Sequence, residues 1–255
     1  MEMRKKETRE VNTMETKKVI GDLVINGNGS TAGGTFAKVR LNGNGKVHGD
    51  VECEDFETNG SSKIEGNVTA TKAVINGSSK FVGDVTTGNF LINGSAAIDG
   101  ELAFEKLEVK GASKVTKGVR GEKLVVEGLL KAGGDCEVEE AFFQGSFTID
   151  GLLNADKIEV SLHGRSYAKE IGGETISVRK GSTTLGLDKL FKVLSRELTV
   201  DVIEGDVIEL EYTKAKVVRG NTIKIGLGCD IDLVEYKDQL QTNKSANVGE
   251  SRKMD

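Results

Sequence analysis

The chain contains no Pro and no Trp, and aromatic residues make up only 5% of its 255 positions. Hydrophobic residues reach 37% against 29% charged, and most of them are Val, Ile and Leu. A thick globular core of large side chains is therefore excluded, and a thin core of small β-branched residues fits better. Only two histidines occur, His48 and His163. Neither stands in a pattern with Ser or Asp that suggests a triad, and both read as surface side chains. The three cysteines, Cys53, Cys136 and Cys229, are far apart and lack the C-x-x-C spacing of zinc or redox sites, so they read as reduced, buried side chains. The net charge of -5 and pI near 5.4 lack the basic footprint of a general nucleic-acid binder. No apolar run approaches the roughly 18 residues needed to span a bilayer, and the charges in 1–18 interrupt any signal-peptide core. The chain reads as cytoplasmic.

Glycine is abundant, with 33 residues, and its placement is periodic. Gly43, Gly60, Gly77, Gly94, Gly111, Gly128 and Gly145 stand at intervals of seventeen without an insertion. A second series, Gly49, Gly66, Gly83, Gly100, Gly134 and Gly151, keeps the same period and misses only at Lys117. Apolar columns keep step: Val47, Ile64, Phe81, Ile98, Val115, Ala132 and Ile149 form one, and Val51, Val68, Val85, Leu102, Val119, Cys136 and Leu153 another. Two more begin at Phe56 and Thr58. Between the columns polar residues alternate, the period-2 signature of half-buried strands.

Seventeen residues are too few for a βα repeat but suit short strands joined by tight corners, so each repeat is one coil of an all-β parallel β-helix. Corner glycines are expected to take φ > 0, which the preceding Asn42, Asn59, Asn76 and Asn93 also tolerate, and the stacked asparagines are placed to hydrogen-bond as an amide ladder. The chirality of parallel crossovers makes the helix right-handed. With coils about 4.8 Å apart, a dozen give a rod roughly 60 Å long.

The reading divides the chain into a charged flexible tail over 1–18, a β-helix over 19–236 and a flexible polar tail over 237–255. Coils are regular over about 30–160 and irregular over 161–236. Within the irregular part, Leu187, Leu190, Phe191, Val193, Leu194 and Leu198 have helical spacing and predict a short amphipathic helix near 187–197. Beyond it Val200, Val217 and Val234 return to the seventeen-residue interval, with Gly205 and Gly220 as corners.

One charge pattern accompanies the coils. Lys46, Lys63, Lys80, Lys114 and Lys131 share a column broken by Ala97, and four residues on Asp50, Asn67, Asp84, Glu101 and Asp135 form a largely acidic one. A solvated, internally balanced face explains both; a docking strip for an anionic partner is the alternative. The glycine-rich Gly27-Asn28-Gly29 lacks the Gly-Lys-Ser/Thr ending of a phosphate loop. No catalytic, cofactor-binding or metal-ligating set emerges, and no cofactor is expected.

A solenoid ends in open coils whose backbone groups and apolar columns lie bare unless capped. Val19, Ile20, Leu23, Val24 and Ile25 at the front, and Ile231, Leu233, Val234 and Tyr236 at the back, are the residues expected to form an end-to-end self-association interface. The readings in play are a self-assembling scaffold, a β-solenoid enzyme (acyltransferase or polysaccharide-active) and a non-polymerising binding rod. Hexapeptide acyltransferases have eighteen-residue coils in strict sixes, a register that seventeen breaks, so the scaffold is preferred.

The segments Asn59–Val68 (NGSSKIEGNV), Asn76–Val85 (NGSSKFVGDV) and Asn93–Leu102 (NGSAAIDGEL) resemble the bactofilins, bacterial polymer-forming cytoskeletal proteins. The resemblance covers about residues 20–160. It implies a right-handed β-helix that polymerises end to end without nucleotide into non-polar filaments, as a scaffold for cell shape, polarity or motility machinery. It also implies that the partner is the chain itself or a bactofilin paralogue, with peripheral association at the inner face of the membrane in some members.

Overall fold

In a computed structural model of the chain, residues 21–181 and 196–255 are described. Among these residues every regular element is a strand, and twenty strands, numbered β1 to β20 in chain order, form a parallel β-solenoid of about 13 turns. The expected amphipathic helix lies outside the described residues up to position 195, and Glu197 opens a strand paired with Arg165.

One coil shows how the sequence is laid down. Strand β3 (Asn44–Thr58) buries Gly45 and Val47, then Val51 and Cys53, then Phe56 and Thr58. Alternation fails at 48–50, 54–55 and 59–61, where successive residues face outward, so the chain bends three times and the coil has three faces. Residues 44–48 form the first face, 51–53 the second and 55–58 the third. Seventeen-residue register then carries each side chain onto its counterpart: Val47 lies over Ile64, Val51 over Val68 and Phe56 over Ala73. Phe81, Ile98, Val115 and Ile149 continue the first column at 0–1% exposure. Burying each such side chain contributes about 1.5–3 kcal/mol.

Neighbouring coils compensate in volume. Ala73 separates Phe56 from Phe90, and Gly121 sits opposite Phe104, where a Cβ would run into the phenyl ring.

The corner glycines owe their place to two causes, and only one is the torsional freedom expected: Gly49 and Gly83 of the second series take positive φ, whereas the first series does not. Among glycines φ is positive at Gly27, Gly34, Gly49, Gly83 and Gly228, but not at Gly60, Gly77 or Gly94. In that column a Cβ on Gly77 or Gly94 would overlap the carbonyl of the glycine one coil earlier, so close backbone stacking excludes every side chain. Asn42, Asn59, Asn76 and Asn93 likewise stay at negative φ; Tyr212, at 48°, is the exception among described non-glycine residues. The amide ladder forms as expected. Asn42 donates to Asn26 at 2.8 Å, Asn59 to Asn42 at 2.9 Å, Asn76 to Asn59 at 2.8 Å and Asn93 to Asn76 at 2.8 Å.

Coil length changes where corners absorb or lose residues. Strand β14 (Ser146–Asn154) pairs with β16 (Arg165–Lys180) through a register shift between Ile149 and Leu152. Strand β17 (Glu197–Leu210) is followed by a short coil, so that Val200 faces Ala215 in β18 (Thr213–Ile225). In β19 (Asp230–Thr242), Leu233 faces Val217 and Val234 faces Val218. Val200, Val217 and Val234 therefore do not share a column, and their equal spacing is coincidental. Gly173, Gly205 and Gly220 do stack as a corner.

The stretch after Tyr236, expected as a flexible tail, is ordered strand: β19 runs on to Thr242, and β20 (Asn247–Lys253) pairs with its first half. Polarity misled the expectation because a terminal coil needs only its inner side chains to be apolar. The 1–18 tail lies outside the described residues.

Candidate self-association interface

At the front, β1 (Leu23–Ile25) lies on the last three residues of β2 (Asn28–Leu41). Ile25 is buried, Leu23 is half-buried and packs on the core, and Val24 faces outward at 49% exposure. Val19 and Ile20 lie outside the described residues. No described strand pairs with the outer edge of β1 or of the first part of β2. The inner columns thin out here: Thr31 stands under Val47 and Gly34 under Val51, with the half-buried Phe36 under Cys53.

At the back, Ile231 and Val234 are buried rather than terminal, because β20 lies over them. Val248 covers Ile231, Ser251 covers Val234, and Glu250 and Lys253 stand beside Leu233 and Tyr236, both half-buried. Asn247 donates to the Asp230 carboxylate at 2.7 Å, repeating the side-chain ladder at this end. The last coil thus carries residues 243–254, and the outer edge of β20 has no partner among the described residues. Here too the columns lose apolar character, Ile225 giving way to Thr242 and Val234 to Ser251. Sequence reading missed β20 because Val248 is its sole apolar residue; the seventeen-residue steps from Asp230 to Asn247 and from Ile231 to Val248 were the available signal.

Charged ladders run along the outside. Arg219 joins Glu204 at 3.2 Å to Glu235 at 2.8 Å across three coils, and Arg252 on β20 binds Glu250 at 2.7 Å. On the first face Glu65 receives Lys63 at 2.6 Å, Lys46 at 3.1 Å and His48 at 2.8 Å. These contacts, led by the Lys63 hydrogen bond, push its carboxyl down to about 2. The acidic column at Asp50 and Asp84 does other work than relieving the lysines. Asp50 accepts the backbone N–H of Asn67 at 2.7 Å, Asp84 that of Glu101 at 2.8 Å and Asp135 that of Leu152 at 2.8 Å, which caps each corner onto the next.

His163 bonds the Ser161 carbonyl at 2.9 Å. All three cysteines are free and buried, and burial pushes the Cys53 and Cys136 thiols up to about 12. Among the described residues no His, Cys, Asp or Glu group is arranged to hold a metal ion, and no helix is long and apolar enough to cross a membrane.

A family model described as Bactofilin, polymer-forming cytoskeletal, matches residues 13–103. The chain is 55% identical over 239 residues to the uncharacterized protein YhbE of Bacillus subtilis (strain 168), covering 92% of this chain and 99% of that protein. It is also 38% identical over 105 residues to the uncharacterized protein YhbF of the same organism, covering 41% of this chain and 42% of that protein. No solved structure matches.

Proposed function

Because the chain belongs to the bactofilin family and folds as a β-solenoid, it is a structural scaffold protein, and we propose that it assembles end to end into filaments without nucleotide. The observation that carries this reading is the pair of unpaired strand edges, β1 with the start of β2 at one end and β20 at the other. Each presents a row of backbone N–H and C=O groups with the spacing that already joins coil to coil within the chain. The small and polar residues at the two ends, Thr31, Gly34, Thr242 and Ser251, favour a ladder-driven contact over a large apolar one. In this reading the partners are further copies of the chain or a bactofilin paralogue, and the filament is cytoplasmic, serving cell shape, polarity or motility machinery.

Negative-stain microscopy of the pure protein, without nucleotide or metal, tests the proposal. Filaments are expected from the wild type, and Phe36→Asp or Val248→Asp, at the half-buried inner positions of the end coils, is expected to stop growth at short oligomers. A wild type that stays monomeric at high concentration refutes it.

A further inference from the structure

The lysine column is confirmed in register: Lys46 lies against Lys63, Lys63 against Lys80, and Lys114 against Lys131, with Ala97 between Lys80 and Lys114. Lys46 and Lys63 share Glu65, whereas Lys80, Lys114 and Lys131 have no ion pair among the described residues. All five stand on the first face of the coil.

The bend between the second and third faces carries the opposite charge. Lys106, Lys123, Glu140, Lys157, Thr175 and Val207 are successive partners, so the residues just before them, Glu105, Glu122, Glu139, Asp156, Glu174 and Asp206, occupy one line along the rod. All six are exposed. The neighbouring lysines are engaged elsewhere, Lys123 with Glu140 at 2.7 Å and Lys157 with Glu159 at 2.7 Å. None of the six carboxylates makes an ion pair among the described residues, and Asp206 accepts the Asn221 amide at 2.8 Å. Glu105, Glu122, Glu139 and Asp156 keep the seventeen-residue interval, and the coil register extends their line to Glu174 and Asp206.

The two stripes match in three respects. Both have the coil-to-coil spacing, about 4.8 Å. Both extend over six coils, counting Ala97 in the basic one. And in a three-sided coil the bend between the second and third faces lies opposite the first face, so the stripes point away from each other on one rod. We infer that rods associate side by side, the lysine column of one copy lying on the carboxylate seam of the next.

A single stagger of three coils, about 14 Å, sets Lys46 against Glu105, Lys63 against Glu122, Lys80 against Glu139, Lys114 against Glu174 and Lys131 against Asp206. Every lysine then meets a carboxylate, and Ala97 faces Asp156. Each copy carries both stripes on opposite sides, so the contact is heterologous and extends into rows of parallel rods. Exposed pairs change an equilibrium only about 1.5- to 5-fold each. Five in register compound to between about eightfold and about three thousandfold. The contact involves neither end of the solenoid and does not depend on filament growth.

The test uses two charge-reversed variants of the full chain, Lys80→Glu/Lys114→Glu/Lys131→Glu and Glu122→Lys/Glu139→Lys/Glu174→Lys, all at exposed positions. Their unfolding transitions, compared with the wild type, establish that both fold. Sedimentation velocity and filament width are read at low salt and again near 0.5 M NaCl. The wild type is expected to bundle laterally at low salt and to separate at high salt with filament length unchanged. Each variant alone is expected to stay laterally single, and an equimolar mixture to form lateral pairs again, because the intact seam of one meets the intact lysines of the other. Bundling of either variant alone, failure of the mixture, or a wild type with no lateral association at low salt overturns the inference. Loss of filament length with lateral pairing retained counts against end-to-end assembly instead.

Discussion

Two serines in one inward column make a sharp test of how the core is held. Ser79 and Ser113 are both buried, at 3% and 2% exposure, on the same face two coils apart. Ser79 is fully engaged: its hydroxyl meets Thr58 at 2.8 Å and receives Ser62 at 2.8 Å. Ser113 lies between Ala96 and Leu130, and its hydroxyl has no partner. The same substitution, Ser→Ala, should therefore act with opposite sign at the two sites. An unpaired buried hydroxyl costs about 1–3 kcal/mol, so Ser113→Ala is expected to gain about 1–2 kcal/mol after a small loss of contact. Ser79→Ala is expected to lose about 1–3 kcal/mol, because it strands the fully buried Thr58 hydroxyl. Strand propensity and unfolded-state effects are common to both and cancel in the comparison. Urea titration and thermal unfolding of the pair measure it, with Tm moving about 2–4 °C per kcal/mol in a chain of this size. Shifts of the same sign would refute the reasoning, whatever their size.

Further outcomes follow from other sites. Glu65 is held down to about 2 by its cationic neighbours, against about 4.3 in the unfolded chain. Its contribution is therefore present above pH 4.3 and lost as pH falls through about 2, so Glu65→Gln should flatten the acid limb of a stability profile taken between pH 5 and 2. Gly94→Ala should destabilise by about 1–3 kcal/mol, because its methyl overlaps the Gly77 carbonyl, whereas Gly118→Ala, with Asp135 O at 3.5 Å, should fold normally; paired denaturation curves decide. With Cys53 and Cys136 raised to about 12 and all three cysteines buried, a colourimetric thiol reagent at pH 8 should label the native protein at none of them and the urea-unfolded chain at all three.

Much of the architecture was legible because the same signal repeats. The coil length, the four apolar columns and the asparagine ladder all follow from residues that recur at fixed spacing, and each repeat corroborates the others. Legibility failed where repetition stopped or where a single interval stood for a register. Val200, Val217 and Val234 look like a continuation, but the coils there differ in length, and Val217 stands half-buried against Leu233 while Val200 and Val234 are buried in other columns. Strand β20 escaped because a last coil buries one side only, leaving Val248 as its lone apolar mark. The glycine corners were placed correctly, but torsion accounts for Gly49 and Gly83 and crowding for the Gly60–Gly77–Gly94 column: sequence shows that a side chain is refused, not which of the two refuses it. The carboxylate seam was legible in part, since Glu105, Glu122, Glu139 and Asp156 keep the seventeen-residue interval, whereas Glu174 and Asp206 join it only through coils of other lengths.

The backbone hydrogen bonds of this protein run along the rod, one coil to the next, while the covalent chain runs around it. Pulling on the two ends of the rod therefore loads the weak bonds and spares the strong ones, and coils would peel apart singly. Squeezing it presses stacked backbones that already leave no room for a methyl group at the Gly60–Gly77–Gly94 corner. A beam of this construction resists compression far better than stretching, and bending tests it on the convex side, where the same coil-to-coil bonds are pulled.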